Sequence, residues 1–167
     1  METKDVLLEE EIDLTDVSRI NHAEVLSLLA MVFNTYLVGK HFPPAYVDLN
    51  VVLPLSGVNI GPDLCVIQRF FSPDEKIEGF EGVPEVVVEV VSPSSFFADN
   101  VKKLHLYASE GVPEYWIVTP ESRSIVVYQL KDRQYEIFAN AIRTGFIHSA
   151  VLPDFSLDLK SVFLDYT

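Results

Sequence analysis

Three polar residues stand where their neighbours make them costly, and together they could do chemistry. Asp63 follows Pro62 at the head of an apolar run. Glu89 lies inside Val86–Val91, where every other residue is valine. Lys103 opens the apolar part of the segment that follows. A buried carboxylate must be paired, protonated or bound to a metal. Two carboxylates from neighbouring strand ends can hold one hard cation through oxygen, with water filling the rest. A lysine beside them can orient or deprotonate a water and neutralise charge developing on a phosphorane. Asp63, Glu89 and Lys103 thus compose a site for metal-assisted phosphodiester hydrolysis. The residue types alone leave a second reading open. Asp63 could be a turn residue after Pro62, and Glu89 could pair with Lys103 as a plain core ion pair.

Other chemistries lack their residues. There is no Gly-rich phosphate loop and no serine flanked by glycines as a nucleophile elbow. The four histidines, His22, His41, His105 and His148, have no metal-ligand spacing. One cysteine, Cys65, excludes an internal disulfide and a multi-cysteine zinc site, and fits a reducing cytoplasm.

The elements that must position the three residues can be read from hydrophobic period. Val25, Leu28, Leu29, Val32, Phe33 and Tyr36 recur at helical spacing, which predicts a helix over 23–38 stopped by Gly39. Asn21 is its expected N-cap, with Glu24 in the capping-box position. Strands are predicted over 46–53 and 63–68, and a central strand buried on both faces over 85–92. A helix over 98–110 ends at Gly111, and strands follow at 115–119, 124–130 and 134–139 with short hairpin turns. Strand, helix and strand from 85 to 119 suggest a right-handed crossover, hence an α/β sandwich with a mixed sheet. The apolar tail from Ile147 to Phe163 is broken by Pro153.

The run Pro84-Glu85-Val86-Val87-Val88-Glu89-Val90-Val91-Ser92-Pro93-Ser94-Ser95, then Asp99, Lys103 and Tyr107, then Gly111-Val112-Pro113-Glu114-Tyr115-Trp116-Ile117-Val118, resembles the Uma-two family. These are endonucleases of the restriction-endonuclease-like superfamily, marked by Pro-Asp and then Asp/Glu-x-Lys. Pro62-Asp63-Leu64 looks like the family's Pro-Asp strand, and Asn21-His22 like the histidine before its first long helix. The resemblance implies a restriction-endonuclease-like sandwich, a mixed central β-sheet flanked by helices. It implies that Asp63 and Glu89 bind Mg²⁺, with Mn²⁺ as an alternative, and that Lys103 positions the attacking water. Asp99, Tyr107, His22 and Glu24 would stand behind them, Glu24 equally as a cap. The chain departs from the superfamily pattern at Val91, where Asp/Glu-x-Lys places lysine, and the family's lysine on the following helix corresponds to Lys103. It also lacks the Gly-Glu hairpin before the histidine, having Glu11-Ile12-Asp13-Leu14-Thr15-Asp16 there.

Length and charge bound the rest. At 167 residues the chain is one domain of ordinary size, expected to span 19–167 behind an acidic arm at 1–18. Its apolar stretches look short of the roughly 18 residues that cross a membrane, and no secretory leader is read at its start. Lys plus Arg is 12 against 25 Asp plus Glu, a net charge of −13, unlike the basic face of a sequence-reading DNA binder. The expectation is a Mg²⁺-dependent DNA endonuclease, homodimeric by family and by its apolar C-terminal segment. Its rival is an inactive binding or structural module of the same fold, which the acidic charge favours.

Overall fold

The computed structural model describes residues 14–72, 74–91 and 98–164, with only the backbone described at 14–20, 98 and 99. Helix α1 runs Leu14–Gly39. It therefore starts well before the expected residue 23, and Asn21 lies inside it, not at its cap. No Gly or Pro interrupts Leu14–Val38, so nothing in the local chemistry stops the helix from extending backwards. Gly39 is its last residue, but the chain is turned away by His41 at φ 60. The Phe42 N–H closes the end by donating to the Leu37 carbonyl at 3.0 Å. Of the expected arm, 1–13 lie outside the described residues and Leu14–Ser18 are already helical.

The strand expected over 46–53 is two strands, β1 at Tyr46–Val47 and β2 at Val51–Val52. Asp48 divides them at φ 52, a left-handed conformation that Asp tolerates better than most residues. There the chain leaves one sheet for another. β2 joins β3 (Asn59–Ile60) and β5 (Phe80–Glu81) in a small three-stranded sheet.

The main sheet takes β1, then β4 (Leu64–Val66), β6 (Val86–Val90), β7 (Glu114–Thr119), β8 (Ser124–Lys131) and β9 (Gln134–Ile142), in that spatial order. β6 and β7 are parallel and joined through α2, Ala98–Glu110; the other pairs are antiparallel. α2 has its expected bounds and ends as expected at Gly111, whose φ of 86 only glycine adopts freely. All five residues of β6 are buried, as its valine run requires.

The two faces of this sheet carry separate cores. Val86, Val88 and Val90 meet Leu29, Phe33 and Leu37 of α1. Val87 and Val91 face the side of Tyr107 and Val112. Each fully buried Leu or Phe of α1 contributes roughly 1.5–3 kcal/mol. By length and composition Asn21–Gly39 could cross a membrane, contrary to the expectation from apolar runs. Here its Leu29, Phe33 and Leu37 are fully buried against the sheet instead.

The C-terminal segment packs inward. β10 (Phe146–His148) pairs with β11 (Ser156–Asp158), and Ile147, Leu152, Phe155, Leu157, Leu159, Val162 and Phe163 all lie in the α1-side core. The apolar tail thus packs largely within the chain, so its apolar character does not by itself call for a dimer.

Candidate active site

The antiparallel register of β4 on β6 places Leu64 opposite Val88 and so carries Asp63 alongside Glu89. Asp63 stands just before β4, where regular pairing has ended. Its Oδ2 accepts the Val90 N–H at 2.6 Å, so the side chain takes over the ladder where the strand stops. Its Oδ1 lies 3.4 Å from His22 Nε2 on α1.

Glu89 points to the α2 side of the sheet. A residue two positions on shares its face, so a lysine at position 91 would lie beside it. Val91 occupies that place and is buried, with 7% exposure. α2 packs over the same face and supplies the lysine from there. Lys103 Nζ lies 2.8 Å from Glu89 Oε2, and the Tyr107 hydroxyl donates to Oε1 at 2.9 Å. These two residues are one turn apart on α2, the spacing that shares a helix face. Asp99 is one turn the other way, and its side chain lies outside the described residues.

Burial governs the electrostatics. Removal from water pushes the Glu89 carboxyl above its ordinary range, opposed by Lys103, reinforced by Asp63 and opposed again by Tyr107. Asp63 is also raised by burial, against the Val90 N–H, His22 and Lys103. Burial and the Glu89 charge push the Tyr107 phenol up as well, so it serves as a hydrogen-bond donor.

Two carboxylates raised by burial, Glu89 further by Asp63 and Asp63 further by Asp48, form a donor set that a hard cation would stabilise. Among the described residues no three His, Cys, Asp or Glu side chains gather as one ligand group. A cation between Asp63 and Glu89 would therefore need water or substrate oxygens for its remaining ligands. This chemistry fits Mg²⁺ better than a soft metal, and Cys65, buried and pushed up to about 12, is no ligand candidate.

The other expected residues are placed differently. Glu24 does not cap α1. It lines a cavity with Asn21 and Arg123, and sequence reasoning did not single out Arg123. Basic side chains that could meet phosphate are already engaged with acids: Arg69 with Glu75 at 2.6 Å and Lys76 with Glu78 at 3.1 Å. Lys102 is exposed. Trp116 is a core residue, fully buried and edge-on to Phe33 at 5.4 Å. Glu114 was read only as part of the family run, yet it is a fully buried acid. Its oxygens accept from Trp116 Nε1 at 2.6 Å, Ser149 Oγ at 2.8 Å and the N–H groups of Ala150 and Val151. The period-two pattern could have flagged it, because Glu114, Trp116 and Val118 share a strand face.

Known proteins resemble this chain in family and in fold. Residues 5–160 match the Uma2 (Uma-two) family, described as "Putative restriction endonuclease". A search of curated proteins returned no match. Among solved structures, one described as "a putative nuclease belonging to DUF820 from Anabaena variabilis ATCC 29413" aligns with a TM-score of 0.68. It is 17% identical, and the alignment covers 86% of this chain and 80% of that one. That likeness concerns the fold, a mixed α/β sandwich of the restriction-endonuclease-like kind.

Proposed function

The chain belongs to the Uma2 family, and from that premise we propose that it is a divalent-metal-dependent endonuclease hydrolysing phosphodiester bonds of DNA. The observation that carries this reading is the convergence of Asp63, Glu89 and Lys103 from the head of β4, from β6 and from α2, with the lysine supplied by the helix because Val91 fills its usual place. A bound Mg²⁺ or Mn²⁺ would supply Lewis acidity toward the scissile phosphate. Asp63 and Glu89 would hold it. Lys103 would release its hold on Glu89 Oε2 enough to orient a water and to neutralise charge on the phosphoryl oxygens. Tyr107 fixes Glu89 from the far side through Oε1.

A second reading has its own support. Lys103 and Tyr107 occupy both Glu89 oxygens, and Arg69 and Lys76 are paired with acids, as a fold-only module would have them. Cleavage of supercoiled plasmid, followed alongside melting, separates the two. On the enzymatic reading Lys103→Ala abolishes metal-dependent cleavage and Lys102→Ala leaves turnover nearly intact. If Lys103 is only an ion-pair partner, its loss mainly destabilises the fold, by about 3 kcal/mol. A Lys103→Ala protein cutting at the wild-type rate would remove the residue from the mechanism.

A further inference from the structure

Helix α2 serves two places. Its Lys103 reaches Glu89, while Leu104 and His105, the next residues along, line a groove between the helix and the start of β9. Consecutive helical residues point about 100° apart, so the helix turns one face to the carboxylates and the next to the groove. Rings join the two places from the other side. The Tyr107 hydroxyl donates to Glu89, the Tyr107 and Tyr115 rings lie 5.1 Å apart, and the Tyr115 and Tyr135 rings 5.9 Å apart. Tyr135 lines the groove. The groove has a volume of about 650 Å³, inside the roughly 300–1,000 Å³ range of small-molecule sites.

Its floor is apolar and aromatic: Leu104 and Tyr135 are half-buried, and Ala108, one turn on from Leu104, is buried. Its rim is polar, with His105, Arg133 and Gln134 exposed. Among the described residues no acid lines it, in a chain of net charge −13. Two neighbouring acids are occupied elsewhere. Glu110 accepts from the Leu55 and Ser56 N–H groups at 2.9 and 2.7 Å, and Glu136 pairs with Lys131 at 3.2 Å. Asp132 precedes Arg133 in the turn but does not line the groove. Arg69, Lys76 and Lys103 each hold an acid, whereas Arg133 holds none among the described residues. A cationic rim over an aromatic floor suits an anion that carries a flat ring. A nucleotide is such a group, with its phosphate toward Arg133 and His105, its ring on Tyr135 and Leu104, and its base edge toward the Gln134 amide. A duplex keeps its bases stacked inside and offers phosphates alone, which would leave the floor unused. An unpaired strand offers both, and single-strand grooves combine cations along the backbone with side chains that stack on bases. We infer that the groove between α2 and β9 seats an unpaired nucleotide of a DNA strand flanking the scissile phosphodiester, so that the substrate carries a single-stranded segment. The word scissile rests on the hydrolytic reading; the seat itself does not.

Binding without metal tests it. The full-length protein in EDTA is titrated with a labelled oligothymidylate, with the duplex that strand forms with oligodeoxyadenylate, and with thymidine 5′-monophosphate, across one salt series. The single strand should bind at least about tenfold tighter than the duplex, and far tighter than the mononucleotide. Arg133→Gln should weaken single-strand binding about tenfold, the size of one charge-assisted hydrogen bond. It should also flatten the slope of log K against log salt by about 0.7, the share of one phosphate. His105→Ala should weaken binding too, and carries the test if melting shows Arg133→Gln unfolded. Duplex binding as tight as single-strand binding, a mononucleotide as tight as the strand, or full affinity of Arg133→Gln in folded protein would each overturn the inference. Metal-dependent cleavage of plasmid and of the oligonucleotides, run in parallel, keeps the two ideas apart. Single-strand preference without any cleavage would sink the hydrolytic reading and leave the seat, whereas cleavage without that preference in binding would do the reverse.

Discussion

Glu89 has its two oxygens held by different groups, a cation on one side and a phenol on the other. The consequence is a pH dependence with a definite sign. Burial raises Glu89 and Asp63 above their unfolded values, so the neutral form of each is more favoured in the folded chain than in the unfolded one. Their contribution to stability is fully present below the unfolded carboxylate range, roughly pH 4. It is lost as pH rises through the raised folded values. Metal-free protein should lose melting temperature across that window, and Glu89→Gln should flatten the slope. A cation that favours the ionised pair should restore stability above the window by mass action, in wild type more than in Glu89→Gln. Equal metal response in both proteins would count against the site. Tyr115 offers a second test at this scale. Among the described residues its hydroxyl is buried without a hydrogen-bond partner, close to the rings of Tyr107, Tyr128 and Tyr135. Tyr115→Phe removes an unsatisfied polar group, so denaturant unfolding should show no loss of stability, or a gain of about 1 kcal/mol.

Elements differ in how far neighbours within the sequence determine them. β6 and α2 were legible because their signals are local and strong: an unbroken valine run, and a helix closed by a glycine that must adopt positive φ. The Glu89–Lys103 contact was legible for the same reason, since a charge inside that run needs a partner. The start of α1 was not, because Asn21 can cap a helix or lie within one, and only the absence of a breaker decides. The division of 46–53 was not legible either. Tyr46-Val47 and Val51-Val52 carry the same strand pattern, and which sheet each joins is settled by pairing with residues far along the chain. The cavity side chains come from α1, the β7–β8 turn and the C-terminal segment, so no local spacing announces them. Glu114 joins elements in another way, tying β7 to the turn after β10 through three donors there, Ser149 Oγ and the Ala150 and Val151 N–H groups, besides Trp116 of its own strand. Glu114→Ala would orphan them together. It should cost about 3 kcal/mol or more in denaturant unfolding, well above a surface change.

At the scale of the molecule the net charge of −13 sets how it meets nucleic acid. With Arg69, Lys76 and Lys103 each paired to an acid, attraction to the backbone is local and small. DNA binding should be weak and should fall steeply with salt. Removing residues 1–12 deletes five acids and one lysine, and should strengthen it. Tight binding indifferent to salt would contradict the electrostatic account. The homodimer that the family resemblance implies would use β9 and its neighbour β10. Ile137, Phe138, Ile142 and Phe146 are the large apolar side chains exposed there. Any pairing that covers them should be broken by Ile137→Lys with Ile142→Lys, read by sedimentation.

The clasp at Glu114 gives the molecule an optical gauge of its own. Trp116 is the sole tryptophan, and its indole N–H is bound to the same carboxylate that holds the turn after β10. Its fluorescence should therefore shift when that turn lets go, even while the carboxylates of Asp63 and Glu89 stay in place on their own strands. An inactive variant with wild-type emission has lost chemistry; one with red-shifted emission has lost its C-terminal fastening.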